Sequence, residues 1–167
     1  MYDELTEVDI KKMQEEIDYR NLVLRPKLIK DVQYARSFGD LSENFEYKEA
    51  KRQQNRNSSR IRYLERMIRT AKVVKTDHAA GQVGLFDHIT LYLPEDEEEM
   101  KVQLVTTLRV NADDGYISKE SPLGQAVFGH KVGETIQVKV NDDISYPVVI
   151  KAIEPGVDDE NLPISKY

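Results

Sequence analysis

From Tyr47 onward, Tyr47, Ala50, Gln54, Asn57, Ile61, Leu64, Ile68 and Ala71 recur at alternating steps of three and four. That is the spacing of a coiled-coil seam, so this stretch reads as a long helix with a partner helix against it. The upstream residues Ile10, Met13, Ile17 and Leu24, then Leu28, Ala35 and Phe38, supply the partner. Their seam jumps by four residues near Pro26, which predicts local unwinding or a kink. Between the arms, Phe38-Gly39-Asp40 offers a glycine stop for the first helix, and Asp40 or Ser42 a start for the second. The pattern therefore specifies an antiparallel hairpin, and at about 1.5 Å per residue its first arm, residues 10–38, is roughly 40–45 Å long.

A hairpin of about 70 residues leaves about 90 for a second module, within the usual domain range. We expect a coiled-coil stalk over residues 1–77 with an acidic tip at 39–47, a second domain over 78–154, and a flexible acidic tail over 155–167. The net charge of −6 hides an asymmetry: residues 1–77 hold 17 Lys and Arg against 14 Asp and Glu, whereas residues 78–167 hold 7 against 16. Ten basic residues face only Glu49 and Glu65 between Lys48 and Lys75. Such a stripe either attracts a polyanion or forms a solvated face paired with acids of the first arm. The chain has no cysteine, which excludes disulfide and thiolate chemistry, and no apolar run approaches a membrane span. A cytoplasmic location without membrane contact is expected.

After Thr76 the apolar period changes from 3.6 to 2, with candidate strands at 82–86, 88–93, 100–107, 135–140 and 144–153. One short helix is predicted over 121–128, with Ser121 as cap, Pro122 at the first helical position and Gly129 as its stop. The fold class is α+β: an antiparallel helical hairpin followed by a mostly β domain with one short helix.

Chemistry-bearing residues concentrate at the turn, where Asp40, Glu43 and Glu46 stand close in sequence. Asp40 followed three residues later by Glu43 has capping-box spacing, so these acids could serve the helix start. Carboxylates at the end of a stalk could equally be delivered to a divalent cation held by another molecule. The histidines His78, His88 and His130 are scattered and suit structural or surface roles. Leu123, Val127 and Phe128 suit either the core or a docking patch. Nucleophile elbows, glycine-rich phosphate loops and paired cysteines do not occur.

Two motifs carry a resemblance to a known family. The first comprises Ala35-Arg36, Gly39-Asp40-Leu41, Glu43-Asn44, Glu46-Tyr47, Ala50-Lys51 and Gln53-Gln54, with Arg25-Pro26 in the first arm. The second comprises Ile117-Ser118, Ser121-Pro122-Leu123-Gly124, Ala126, Gly129 and Lys131-Val132-Gly133. Over about residues 5–153 the chain resembles the bacterial Gre transcript cleavage factors, more the GreA than the GreB type.

The resemblance implies a monomer whose coiled coil enters the secondary channel of bacterial RNA polymerase while an FKBP-like domain holds the rim. It further implies no cofactor of the factor's own and no enzymatic activity of its own. Asp40 and Glu43 would help bind magnesium in the polymerase active site, so that the polymerase cleaves the nascent RNA 3′ end of a backtracked complex. Leu41, Ser42, Asn44, Glu46 and Tyr47 would support the tip. Lys51, Arg52, Arg56 and Arg60 would form an RNA-facing basic patch, the last three on one helical face by their i, i+4 spacing. Ser121, Pro122, Leu123, Gly124 and Phe128 would dock on the polymerase. Three features depart from the family: Asp9 stands where Gly is usual, Phe45 where Ala is common, and the tail from Asp158 is longer. Three other readings compete: an inhibitory channel-binding relative, a prolyl isomerase needing an aromatic-lined pocket, and a free-standing nucleic-acid binder.

Overall fold

A computed structural model describes residues 3–39, 44–76 and 78–166. The chain divides into two compact units: residues 10–71 form one, and residues 3–9 with 72–167 the other.

In the first unit, α1 (Glu7–Tyr19) passes through a π-helical segment, Arg20–Leu24, into α2 (Arg25–Arg36), and α3 (Phe45–Thr70) is the return arm. Pairing of Glu16 with Arg60, Arg20 with Asn57 and Arg36 with Tyr47 sets the two arms antiparallel. The predicted seam is visible in burial. Met13, Ile17, Leu28, Val32 and Ala35 of the first arm and Ile61, Leu64 and Met67 of the second are all buried, while Tyr47, Ala50 and Gln54 are half-buried. Phe38, placed on the seam by its spacing, instead lies beyond the end of α2 and is 59% exposed.

The seam jump has a specific structural outcome. Pro26 has no N–H to give to the carbonyl of residue 22, so the ladder is already interrupted there. The Arg25 N–H bonds instead to the Arg20 carbonyl, five residues back, which is a π-helical bond. One wide turn thus absorbs the extra residues, and Leu22 and Val23 are left facing outward.

The second unit holds a five-stranded mixed sheet in the order β5-β4-β3-β7-β6. Its strands are β3 (His88–Leu93), β4 (Glu98–Val105), β5 (Tyr116–Ser118), β6 (Thr135–Lys139) and β7 (Ser145–Glu154). All neighbouring pairs are antiparallel except β4 with β5, which is parallel. The short helix α4 (Pro122–Val127) covers the sheet. Ile89, Leu91, Val102, Leu104, Val138, Val148 and Ile150 from the strands pack with Val127 of α4 into one core. A separate parallel pair joins β1 (Glu4–Leu5) to β2 (Lys72–Val73). The mostly β unit with one short helix expected from the sequence is therefore present.

Residues 82–86, read as a strand, form a tight loop. Gly84 donates its N–H to the buried Asp87 carboxylate at 2.9 Å, and Phe86 is left-handed, with φ of 68°. Side-chain capping has replaced ladder bonds, and the apolar residues Val83 and Phe86 are buried as loop anchors.

Among the described residues, Arg109 is the largest fully buried side chain. Its guanidinium pairs with Asp9 and Asp158 and lies 5.1 Å from the Phe86 ring centre. Asp9 also closes a capping box at the start of α1: its carboxylate accepts from the Thr6 N–H at 3.0 Å, and its own N–H donates to Thr6 Oγ1 at 3.3 Å. The tail, read from its Pro, Gly and acidic content as flexible, is tied down here. Besides the Asp158 pair, Ser165 donates its N–H to the Leu108 carbonyl at 2.6 Å. A Cβ on Gly156 would meet the Phe86 carbonyl oxygen at 1.8 Å, so the tail backbone passes too close for any other residue.

Candidate functional site

The hairpin turn is built from its base. Asn44, not Asp40 or Ser42, is the N-cap of α3: its Oδ1 accepts from the Tyr47 N–H at 2.9 Å. Its Nδ2 reaches across to the Ala35 carbonyl at 2.7 Å. One amide therefore starts the second helix and ties it to the end of the first. Arg36 adds a second tie, 3.4 Å from the Tyr47 hydroxyl and with its guanidinium 5.6 Å from the ring centre. The Arg36 hydrogen bond also holds the Tyr47 hydroxyl below its ordinary pKa.

Asp40, Leu41, Ser42 and Glu43 lie outside the described residues. Their sequence position places them between Gly39, which has φ of 107°, and Asn44. Glu46 is exposed in the first turn of α3. The cap of α3 is the Asn44 side chain.

The basic residues of α3 separate into two groups. Arg52 and Arg56 are exposed and Lys51 half-buried; Arg52 pairs with Glu49 at 2.9 Å and Lys51 donates to Gln54 at 3.3 Å. Arg60 does not share their surface. It is 4% exposed and grips Glu16 of the first arm through Nε and Nη2, each at 3.1 Å. The grouping by i, i+4 spacing fails because the seam residues Asn57, Ile61 and Leu64 draw the neighbouring position 60 into the interface. Arg20 joins the same cluster, bonding Glu16 and the Asn57 side chain. Burial disfavours the Glu16 carboxylate, but hydrogen bonds from Arg60 and Arg20 overcome it and hold Glu16 below its ordinary pKa. This polar core was not read from the sequence. Its signal was Asn57 on a seam position, where a polar residue fixes register.

The second candidate patch is largely structural. Ser121 caps α4 by accepting from the Gly124 N–H at 3.1 Å. Gly124 is buried, and a Cβ there would meet the Ser118 carbonyl oxygen at 2.0 Å. Leu123 packs on the core. Only Pro122 and Phe128 of this set are exposed, Phe128 with the Lys119 ammonium 4.7 Å from its ring centre. Lys119 also bonds Glu4 at 2.6 Å, and that hydrogen bond lowers the Glu4 pKa.

Beside Phe128 is a cleft of about 70 Å³, well below the roughly 300–1,000 Å³ of sites for drug-sized ligands. Phe128 is the sole Phe, Tyr or Trp in its lining, which does not make the aromatic pocket of a prolyl isomerase. Two of the three histidines take carboxylate partners: His78 pairs with Asp87 at 2.8 Å and His130 with Glu134 at 2.6 Å. Among the described residues no group of His, Cys, Asp or Glu gathers into a metal site, and no helix is long and apolar enough to cross a membrane.

A helical hairpin with a doubly tied turn and a basic return arm, followed in the chain by a small mixed sheet, defines a class of two-unit stalk proteins. Two family models match. "Transcription elongation factor, N-terminal" covers residues 4–73, and "Transcription elongation factor, GreA/GreB, C-term" covers residues 78–155. The chain belongs to the GreA/GreB family of transcription elongation factors. It is 39% identical over 137 residues to transcription elongation factor GreA of Caldanaerobacter subterraneus, covering 81% of this chain and 87% of that one. It is 36% identical over 128 residues to GreA of Bacillus subtilis, covering 77% and 82%. A solved structure of the transcription factor Gfh1 aligns over 92% of this chain and 97% of that one, with a TM-score of 0.45 and 22% identity.

Proposed function

We propose that this elongation factor inserts its stalk into the RNA polymerase secondary channel and stimulates the polymerase to cleave backtracked nascent RNA. The observation that carries the proposal is the cap at Asn44. That side chain starts α3 and ties it to α2, which supports a reading in which Asp40 and Glu43 serve chemistry. In this reading both acids offer carboxylate oxygens, the donors magnesium prefers, to the ion in the polymerase active site. Such an ion lowers the pKa of a bound water and offsets charge at the phosphate. The acids also orient the attacking water. Exposed Arg52 and Arg56, with Lys51, attract the RNA backbone, and Arg60 holds the arms in register. Pro122 and Phe128 are the docking candidates that surface exposure supports.

The test is cleavage of RNA in halted, backtracked complexes with the wild-type protein, Asp40→Ala and Glu43→Ala. Wild type should generate shortened 3′ ends, and each variant should lose that activity while still competing with wild type for polymerase. Unchanged cleavage by both variants would refute the roles of the acids. Reduced synthesis by the wild type without new cleavage products would identify it as an inhibitory channel-binding factor instead.

A further inference from the structure

Phe45 opens α3 directly after the cap and is 81% exposed. It buries little area there, and Phe is a poorer helix former than Ala, so neither packing nor propensity accounts for it. The Lys48 ammonium lies 5.6 Å from its ring centre. Phe45, Lys48 and Arg52 follow i, i+3, i+7 spacing and share one side of the helix. From Asn44 to Arg56 the arm carries four basic residues, Lys48, Lys51, Arg52 and Arg56, against Glu46 and Glu49. At the end of the facing helix, Phe38 and Tyr34 are also exposed and pack edge to face, with centroids 4.9 Å apart.

An exposed ring bordered by cations on a positive helix is a platform for a polyanion that presents π-faces. Single-stranded nucleic acid fits that description, because its bases are free to stack while its phosphates meet the cations. A duplex hides its base faces, and an apolar protein groove would desolvate the Lys48 ammonium without offering it a charge. Phe45 stands two residues after Glu43 in the sequence, so a base on its ring would belong to the strand that the tip acids serve.

We propose that Phe45 is a positioning residue that stacks on the terminal base of the extruded RNA 3′ segment, with Lys48 contacting the adjoining phosphate. The proposal rests on the cleavage function above and adds a dependence on the identity of the 3′ base. The ring contributes binding without touching the scissile phosphate.

The test compares backtracked complexes whose RNA ends in adenosine or in an abasic ribose, each rate taken relative to cleavage without the factor. Wild type should favour adenosine by roughly 5- to 150-fold, the worth of one base on an aromatic ring. Phe45→Ala should bring that ratio close to one, and Phe45→Trp should keep it. Lys48→Ala should slow both substrates and leave the ratio intact. Circular dichroism should show full helix content in all three variants. An equal ratio for wild type and Phe45→Ala overturns the stacking proposal while leaving the cleavage function standing, and so does an equal slowing of both substrates by Phe45→Ala. Absence of any stimulation by the wild-type protein overturns the function and the stacking with it.

Discussion

Replacing Asp9 with alanine should damage the β unit far more than its position near the chain start suggests. Asp9 and Arg109 are both fully buried, and removing one partner of a buried ion pair costs about 3–5 kcal/mol because the other charge is stranded. Asp158 still pairs with Arg109, which places this contribution near the lower limit. The capping box between Thr6 and Asp9 is lost as well, at about 1 kcal/mol. The expected total for Asp9→Ala is about 4 kcal/mol, read as faster amide exchange across β4 and β7 and an earlier urea transition for the unit. Asp158→Ala, at a partly solvated site, should cost about 1 kcal/mol. The double variant Asp9→Leu with Arg109→Met should recover most of the loss, since an apolar pair strands no charge. A cost below about 1 kcal/mol for Asp9→Ala would refute the stranded-charge argument, and a double variant no more stable than the single would assign the loss to the cap.

In the stalk, Arg60→Ala should lower thermal stability by about 2 kcal/mol, because Glu16 loses the buried Arg60 grip while keeping Arg20, whereas exposed Arg56→Ala should change it by less than about 0.5 kcal/mol; equal effects in a melting series would return Arg60 to the surface patch. Asn44→Ala should cost about 1 kcal/mol and fray the first turn of α3, seen as lost amide protection at Tyr47. Because Glu16 has a depressed folded-state pKa, its stabilising share is fully present above the unfolded value and disappears as pH falls through the folded one. Stalk stability should therefore drop below about pH 4, and Glu16→Gln should flatten that part of the profile.

The helical hairpin was legible because its seam repeats over seven turns, and the wide turn before Pro26 was foreshadowed by a seam that skipped. What failed were choices between equivalent candidates and contacts between distant positions. Asp40, Ser42 and Asn44 are all good caps, and only the tie to Ala35 selects Asn44. Arg60 sits one position from the seam, so a small rotation of the helix decides whether it meets water or Glu16. β5 has three residues and a parallel partner, too short for an alternating pattern to show. The pairing of Asp9 with Arg109 spans one hundred positions and leaves no local trace. At the candidate site, the resemblance named Asn44 and Tyr47 as tip supports, and their partners Ala35 and Arg36 emerged only with the fold.

The cap at Asn44 also bears on how such a chain can change over generations. Replacing Asp40 or Glu43 leaves the Asn44 side chain in place to cap α3. On the proposed function, chemistry and architecture would be separately inherited at this turn. A duplicate of the gene could shed one and keep the other by two substitutions, becoming a competitor of its parent for the same binding place.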